Sequence, residues 1–247
     1  MRHSLLLGAL AASWPLLLGC EGAETPEPRV VATPIDAATA GSIAGRVLFE
    51  GEPPPNPRLP VRGSPECSAH HAAEAVDPVV LVKAGRLRNA FVYVKSGLDK
   101  HVFDWPRTPV TMANAKCLYV PRVIGVQVHQ PVRFTNEDPN DHNVHGFPTG
   151  SPFNFMLHGK GTSQERTLRS PQVMVPVKCD LHPWMIGWIG AVPHPFHAVT
   201  GEDGAFAFRG LPPGDYTIAA WHERLGERTA RVRLEPKGDV RTDLVFK

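Results

Sequence analysis

Cys179, His182 and Met185 fall within one short stretch, Cys-Asp-Leu-His-Pro-Trp-Met, and a further histidine, His142, lies well upstream in Asp-His-Asn-Val-His. A thiolate, two imidazoles and a thioether are the donors of a mononuclear blue-copper centre. In it copper lies near the plane of two nitrogens and one sulfur, with a long, weak thioether bond on the axis. Soft sulfur favours Cu(I), imidazole suits both oxidation states, and a geometry between the two preferences keeps reorganisation small when one electron moves. Structural zinc would use the same thiolate and imidazoles but wants a strong fourth donor, and a thioether is a poor one. One copper is therefore the expected cofactor. The plain alternative for Cys179 is a buried apolar thiol, which the spacing of the other donors argues against.

Other residues of these types are read more simply. A lone histidine in an exported domain is ordinarily on the surface, and His70, His71, His101, His129, His158, His194, His197 and His222 are taken that way. Met112, Met156 and Met174 are packing residues. Trp184, between two ligands, is expected in an apolar rim where the edge of His182 meets a partner. Trp221-His222-Glu223 reads as the end of a strand. No carboxylate pair, nucleophile motif or phosphate-binding glycine loop competes with the metal motif, so the chain is not expected to be an enzyme. A net charge of +2, without runs of like charge, gives no footprint for nucleic acid.

The elements that must position these donors are strands. The chain has 26 Pro, 22 Gly and 8% aromatic residues, with short Val-rich runs between turn residues, which predicts an all-β protein. Residues 42–50, 90–95, 123–128, 132–136, 172–177, 196–200, 205–209, 216–221, 228–234 and 241–246 are strand candidates. The run 172–177 leads directly into the Cys179 loop.

At the start, residues 5–18 are mainly apolar but too short to span a bilayer, and Leu-Leu-Gly-Cys follows, ending at Cys20. This resembles the bacterial lipobox, which implies a signal peptide over 1–19, acylation of Cys20 and a lipid-anchored chain in the periplasm. Glu21 stands where Asp often marks inner-membrane retention, which favours the outer membrane. Residues 20–41, rich in Pro, Ala, Thr and Glu, read as a flexible linker. With Cys20 as anchor and Cys179 as ligand, Cys67 and Cys117 remain to form a disulfide in an oxidising compartment. A second metal site from Cys67, His70 and His71 is the weaker reading.

Thr200 through Ile218 follows T-x-x-D-G-x-F-x-F-x-G-L-P-P-G-x-Y-T-I and resembles the transthyretin-like, carboxypeptidase regulatory-like domain. That family opens on I-x-G-x-V and A-x-V-x-V strands, matched at Ile43 to Val47 and Ala90 to Val94. The resemblance implies a small β-sandwich split over 42–99 and 194–247, with a second domain inserted at 100–193. The insert resembles the small blue-copper proteins, or cupredoxins, and among them the amicyanins, whose motifs are C-x-x-H-P-F-M and P-H-N-V-H. That resemblance implies a Greek-key β-sandwich. It makes His142, Cys179 and His182 the strong ligands and Met185 the axial one, with Asn143 tying the two loops near sulfur and His145 a non-ligand. Two departures are Trp184 for Phe and Leu181 for Pro. The Leu181 N–H is free to donate to the thiolate. A bond worth ~1 kcal/mol, felt only by the reduced state, raises a one-electron potential by roughly 40 mV.

The function expected is electron transfer by a lipid-anchored carrier. Its partner would be a redox protein such as a c-type cytochrome or a quinoprotein dehydrogenase, by the resemblance alone. The competing readings are a surface binding or adhesion lipoprotein with a structural or carried copper, and a copper-delivery protein. Reversible redox cycling separates the first from the other two.

Overall fold

A computed structural model describes residues 30–72 and 75–247. The segment expected as a signal peptide, Cys20 and the first part of the expected linker lie outside the described residues. The protein is all-β, with four sheets packed as two sandwiches. Residues 33–40, read from composition as linker, dock on the body of the chain. Thr33 and Val102 exchange hydrogen bonds of 2.8 and 3.0 Å, and Ile35 packs on the core.

The first sandwich takes strands from both ends of the described chain. In one sheet Gly41–Phe49 pairs antiparallel with Ala205–Leu211 and parallel with Asp239–Arg241 and Leu244–Phe246. In the other, Phe91–Ser96 lies between His197–Val199 and Gly214–His222, which pairs in turn with Gly226–Leu234. Alternation sets the inward faces: Ile43 and Val47 meet Phe206, Phe208, Ile218 and Phe246 in one core. The segment 241–246, expected as one strand, is two. Gly45 explains the break, because a Cβ there would lie 1.7 Å from the carbonyl oxygen of Thr242. Thr242 can therefore loop in against Ala44, while Asp243 Oδ1 accepts the Arg46 N–H at 2.7 Å.

The second sandwich is built from residues 110–192. One sheet has the order Phe153–Leu157, His142–Gly146, Gln172–Lys178, Ile186–Val192, Val123–Gln127. The other has Ser163–Thr167, Pro131–Asn136, Val110–Ala115, Leu118–Val120. Its core holds Met112, Tyr119, Ile124, Phe134, Val177 and Ile189.

The two sandwiches share a third apolar cluster, in which Phe91 and Tyr93 of the first meet Val123 and Val192 of the second. Gly125 and Gly190 sit side by side in the sheet, and the Phe91 ring fills the flat notch they leave. A Cβ on Gly190 would come within 2.5 Å of that ring. Gly190→Ala is expected to cost ~1–3 kcal/mol through displacement of Phe91, read as a lower denaturation midpoint with unchanged slope.

A polar knot lies beside this seam. Arg122 of the second sandwich is nearly buried and holds Glu223 of the first from Nε and Nη2, at 2.5 and 3.0 Å, and Asp77 from Nη1 and Nη2. Trp188 Nε1 donates to Glu223 at 3.1 Å. Two histidines taken as surface residues are core residues. His194 donates from Nε2 to the Val94 carbonyl at 2.8 Å, and His222 is buried near the Phe246 ring. Burial keeps both imidazoles below their ordinary pKa, so each is neutral inside the protein.

Candidate metal centre

His142 opens the strand His142–Gly146, while Cys179 ends the approach of Gln172–Lys178, so two loops converge at one end of the second sandwich. His142 Nδ1 and His182 Nδ1 are 3.1 Å apart, and they lie 4.0 and 3.6 Å from Cys179 Sγ. All three residues are buried. These separations are short enough that one ion, at the usual ~2.0 Å from nitrogen and ~2.3 Å from sulfur, could be held by all three donors together. The donor set suits copper better than zinc, because among the described residues no carboxylate joins the trio from the Nδ1 side. Met185 is fully buried at the end of the same loop, which its backbone closes: Met185 N–H donates to the His182 carbonyl at 2.8 Å and Cys179 N–H to the Met185 carbonyl at 3.3 Å.

Electrostatics favour ligation. Burial holds the imidazoles of His142 and His182 below their ordinary pKa, leaving their lone pairs free at neutral pH. Burial pushes the Cys179 thiol up, against N–H groups of Asn143, His182 and Leu181 that favour the thiolate. Metal binding must therefore displace a proton from sulfur. The Leu181 N–H is one of those that face the sulfur, so Leu181→Pro is expected to lower the one-electron potential by roughly 40 mV. A level or raised potential would contradict that role.

Asn143 joins the two loops. Its N–H donates to Cys179 Sγ at 3.4 Å and its Oδ1 accepts from the Asp180 N–H at 2.5 Å. Asp180 in turn accepts from Asn143 Nδ2 at 3.2 Å, from Asn154 at 3.1 Å and from His145 at 3.0 Å, so His145 is turned to a carboxylate. Cys67 and Cys117 form a disulfide. Trp184 is half-buried and turned onto the disulfide hairpin, where its Nε1 donates to the Cys117 carbonyl at 3.1 Å. The Trp184 ring also lies 5.3 Å from that of His182, which is 8% exposed, and Leu181 beside it is 52% exposed.

Two supporting residues had no signal in the motif. Tyr119 Oη donates to the carbonyls of Asn143 and Lys178 at 3.0 and 2.9 Å, clamping the two ligand-bearing strands. Asp138, buried, accepts from His142 Nε2 at 2.9 Å and from the N–H groups of Lys116 and Cys117 at 2.6 and 2.8 Å. Lys116 and Cys117 form a two-residue hairpin with both φ angles positive, 53° and 55°, a conformation that normally selects Asn or Gly. One carboxylate thus offsets the strain of that turn and fixes the orientation of the His142 ring. Asp138→Ala is expected to weaken copper binding ~10–100-fold, measured by competition with a chelator.

No protein-family model and no curated protein matches the sequence. Among solved structures, a reduced amicyanin mutant is 22% identical over 34% of this chain and 81% of its own, with a TM-score of 0.31. A Cu(I) form of another amicyanin mutant gives the same figures. A purple cupredoxin from Nitrosopumilus maritimus is 22% identical over 33% of this chain and 97% of its own, with a TM-score of 0.29. Likeness at that level does not fix function.

Proposed function

We propose that this chain is a one-electron carrier with a single type 1 copper held by His142, Cys179, His182 and Met185. The observation that carries the reading is the buried triangle of two Nδ1 atoms and one Sγ, already at ligating separations. Copper would supply the redox couple. The protein supplies a donor set that does not rearrange: Asp138 holds His142 from its far nitrogen, Asn143 and Asp180 lock the loops together, and the Asn143 N–H tempers charge on sulfur. A fixed site of this kind favours neither oxidation state geometrically, which suits transfer rather than catalysis.

The further terms of the reading are these. Cys20 carries lipid on the periplasmic side of a bacterial membrane, favouring the outer one. Residues 42–99 and 194–247 supply one transthyretin-like unit, and 100–193 a cupredoxin unit set into it, onto which 59–71 of the first span packs. The partner is a redox protein such as a c-type cytochrome or a quinoprotein dehydrogenase. Voltammetry of the copper-loaded chain beginning after Cys20 tests the carrier role. One reversible one-electron wave is expected, and its absence would hand the lead to a binding or delivery role.

A further inference from the structure

We infer, resting on the copper reading, that residues 59–71 are a cap that shields the His182 edge of the centre and so selects which redox reagents reach it. This segment follows Gly41–Phe49 of the first sandwich, yet it packs on the second. Leu59, Val61 and Cys67 are buried in the same core as Cys179 and Met185. The cap is closed at its base, where Leu59 N–H donates to the Ala75 carbonyl at 2.9 Å and Asp77 N–H to the Pro57 carbonyl at 2.8 Å. It is closed at its tip by the Cys67–Cys117 disulfide and by His71 Nε2, which donates to the Lys116 carbonyl at 2.7 Å.

The disulfide lies against the metal centre itself. Both of its sulfurs come within 4.8 Å of a ring nitrogen of His182. His182 is 8% exposed, walled by the disulfide on one side and by the rings of Trp184 and His142, 5.3 and 4.8 Å away, on others, while its sequence neighbour Leu181 is 52% exposed. A small redox complex approaching from the disulfide side meets the cap before the imidazole. The disulfide thus does more than staple two pieces of chain: it fixes the screen over one side of the ligand.

Two readouts test this in the chain beginning after Cys20, with Cys67→Ser/Cys117→Ser freeing the tip. In the metal-free protein Cys179 is the free thiol among the described residues, and its labelling by an aromatic disulfide reagent is expected to be roughly tenfold faster in the variant. In the copper-loaded protein, electron exchange with ferricyanide is expected to rise by about the same factor, with the copper absorption band unchanged. Leu59→Ser loosens the base with the disulfide intact and should shift both rates the same way by less. It decides the matter should the double variant not fold. Unchanged labelling in a folded variant overturns the cap, whether or not a copper band develops. Faster labelling in a chain that develops no copper band upholds the screen over Cys179 and removes the copper reading instead.

Discussion

Cys179→Ala should leave a folded chain that binds copper at least ~100-fold more weakly and shows no thiolate-to-copper absorption. The expected loss follows from the donor set. Changes to residues that merely support a ligand cost ~10–100-fold in metal affinity, and here the one soft anionic ligand is removed outright. The fold should tolerate the change, because Cys179 is a small side chain in the core of the second sandwich and behaves there as a small hydrophobe. A chain that kept the band after this substitution would draw its sulfur from elsewhere. The measurement is the absorption spectrum of wild type and variant at equal copper, with the denaturation midpoint as the check on folding.

Arg122→Ala should cost ~3–5 kcal/mol, the largest stability effect of any single change considered, because it strands two carboxylates in a nearly dry seam. Asp77 and Glu223 both face Arg122, whose side chain is 8% exposed. Even with Arg122 present, burial holds the Asp77 carboxyl above its ordinary range. Without the guanidinium the Asp77 carboxyl rises further. A raised folded-state pKa means that the folded form binds protons more readily than the unfolded form, so the variant gains stability as pH falls through the folded-state value. The deficit against wild type should therefore be widest near neutral pH and narrow on acidification, read from denaturant melts across pH. A constant deficit would mean that lost packing of the Arg122 stem, not charge, explains the cost.

The two kinds of residue in this site were not equally legible. Cys179, His182 and Met185 stand in one loop, and His142 stands in its own motif, so local spacing was enough to propose a metal. The Cys67–Cys117 bridge followed from assigning the other two cysteines. Asp138 was visible only as one of two aspartates near His142. Its role depends on accepting two amides from a hairpin 21 and 22 residues earlier, which no periodicity records. Tyr119, clamping carbonyls 24 and 59 residues away, is the same case.

The fold divides along the same line. Alternating strands such as Pro131–Asn136 announce themselves, because one face is buried and the other is not. The burial of His194 and His222 does not, since it depends on distant groups such as the Val94 carbonyl and the Phe246 ring. Nor does the placing of residues 59–71, which contribute Leu59, Val61 and Cys67 to the core of the other sandwich. A Gly/Pro-rich stretch reads as a connection, and only the disulfide hinted that it was anchored. The seam knot joins Arg122 to residues 45 and 101 positions away, so its cost and its pH dependence emerge only from the folded chain.

The central claim is tested most directly by titrating the metal-free chain beginning after Cys20 with Cu(II), following absorption and paramagnetic resonance together. The expected result is an intense red-region thiolate-to-copper band that saturates at one equivalent and bleaches reversibly with a mild reductant. Copper that binds without colour, or no binding at all, would contradict the claim and leave an all-β protein whose ligand triangle does not form a type 1 site.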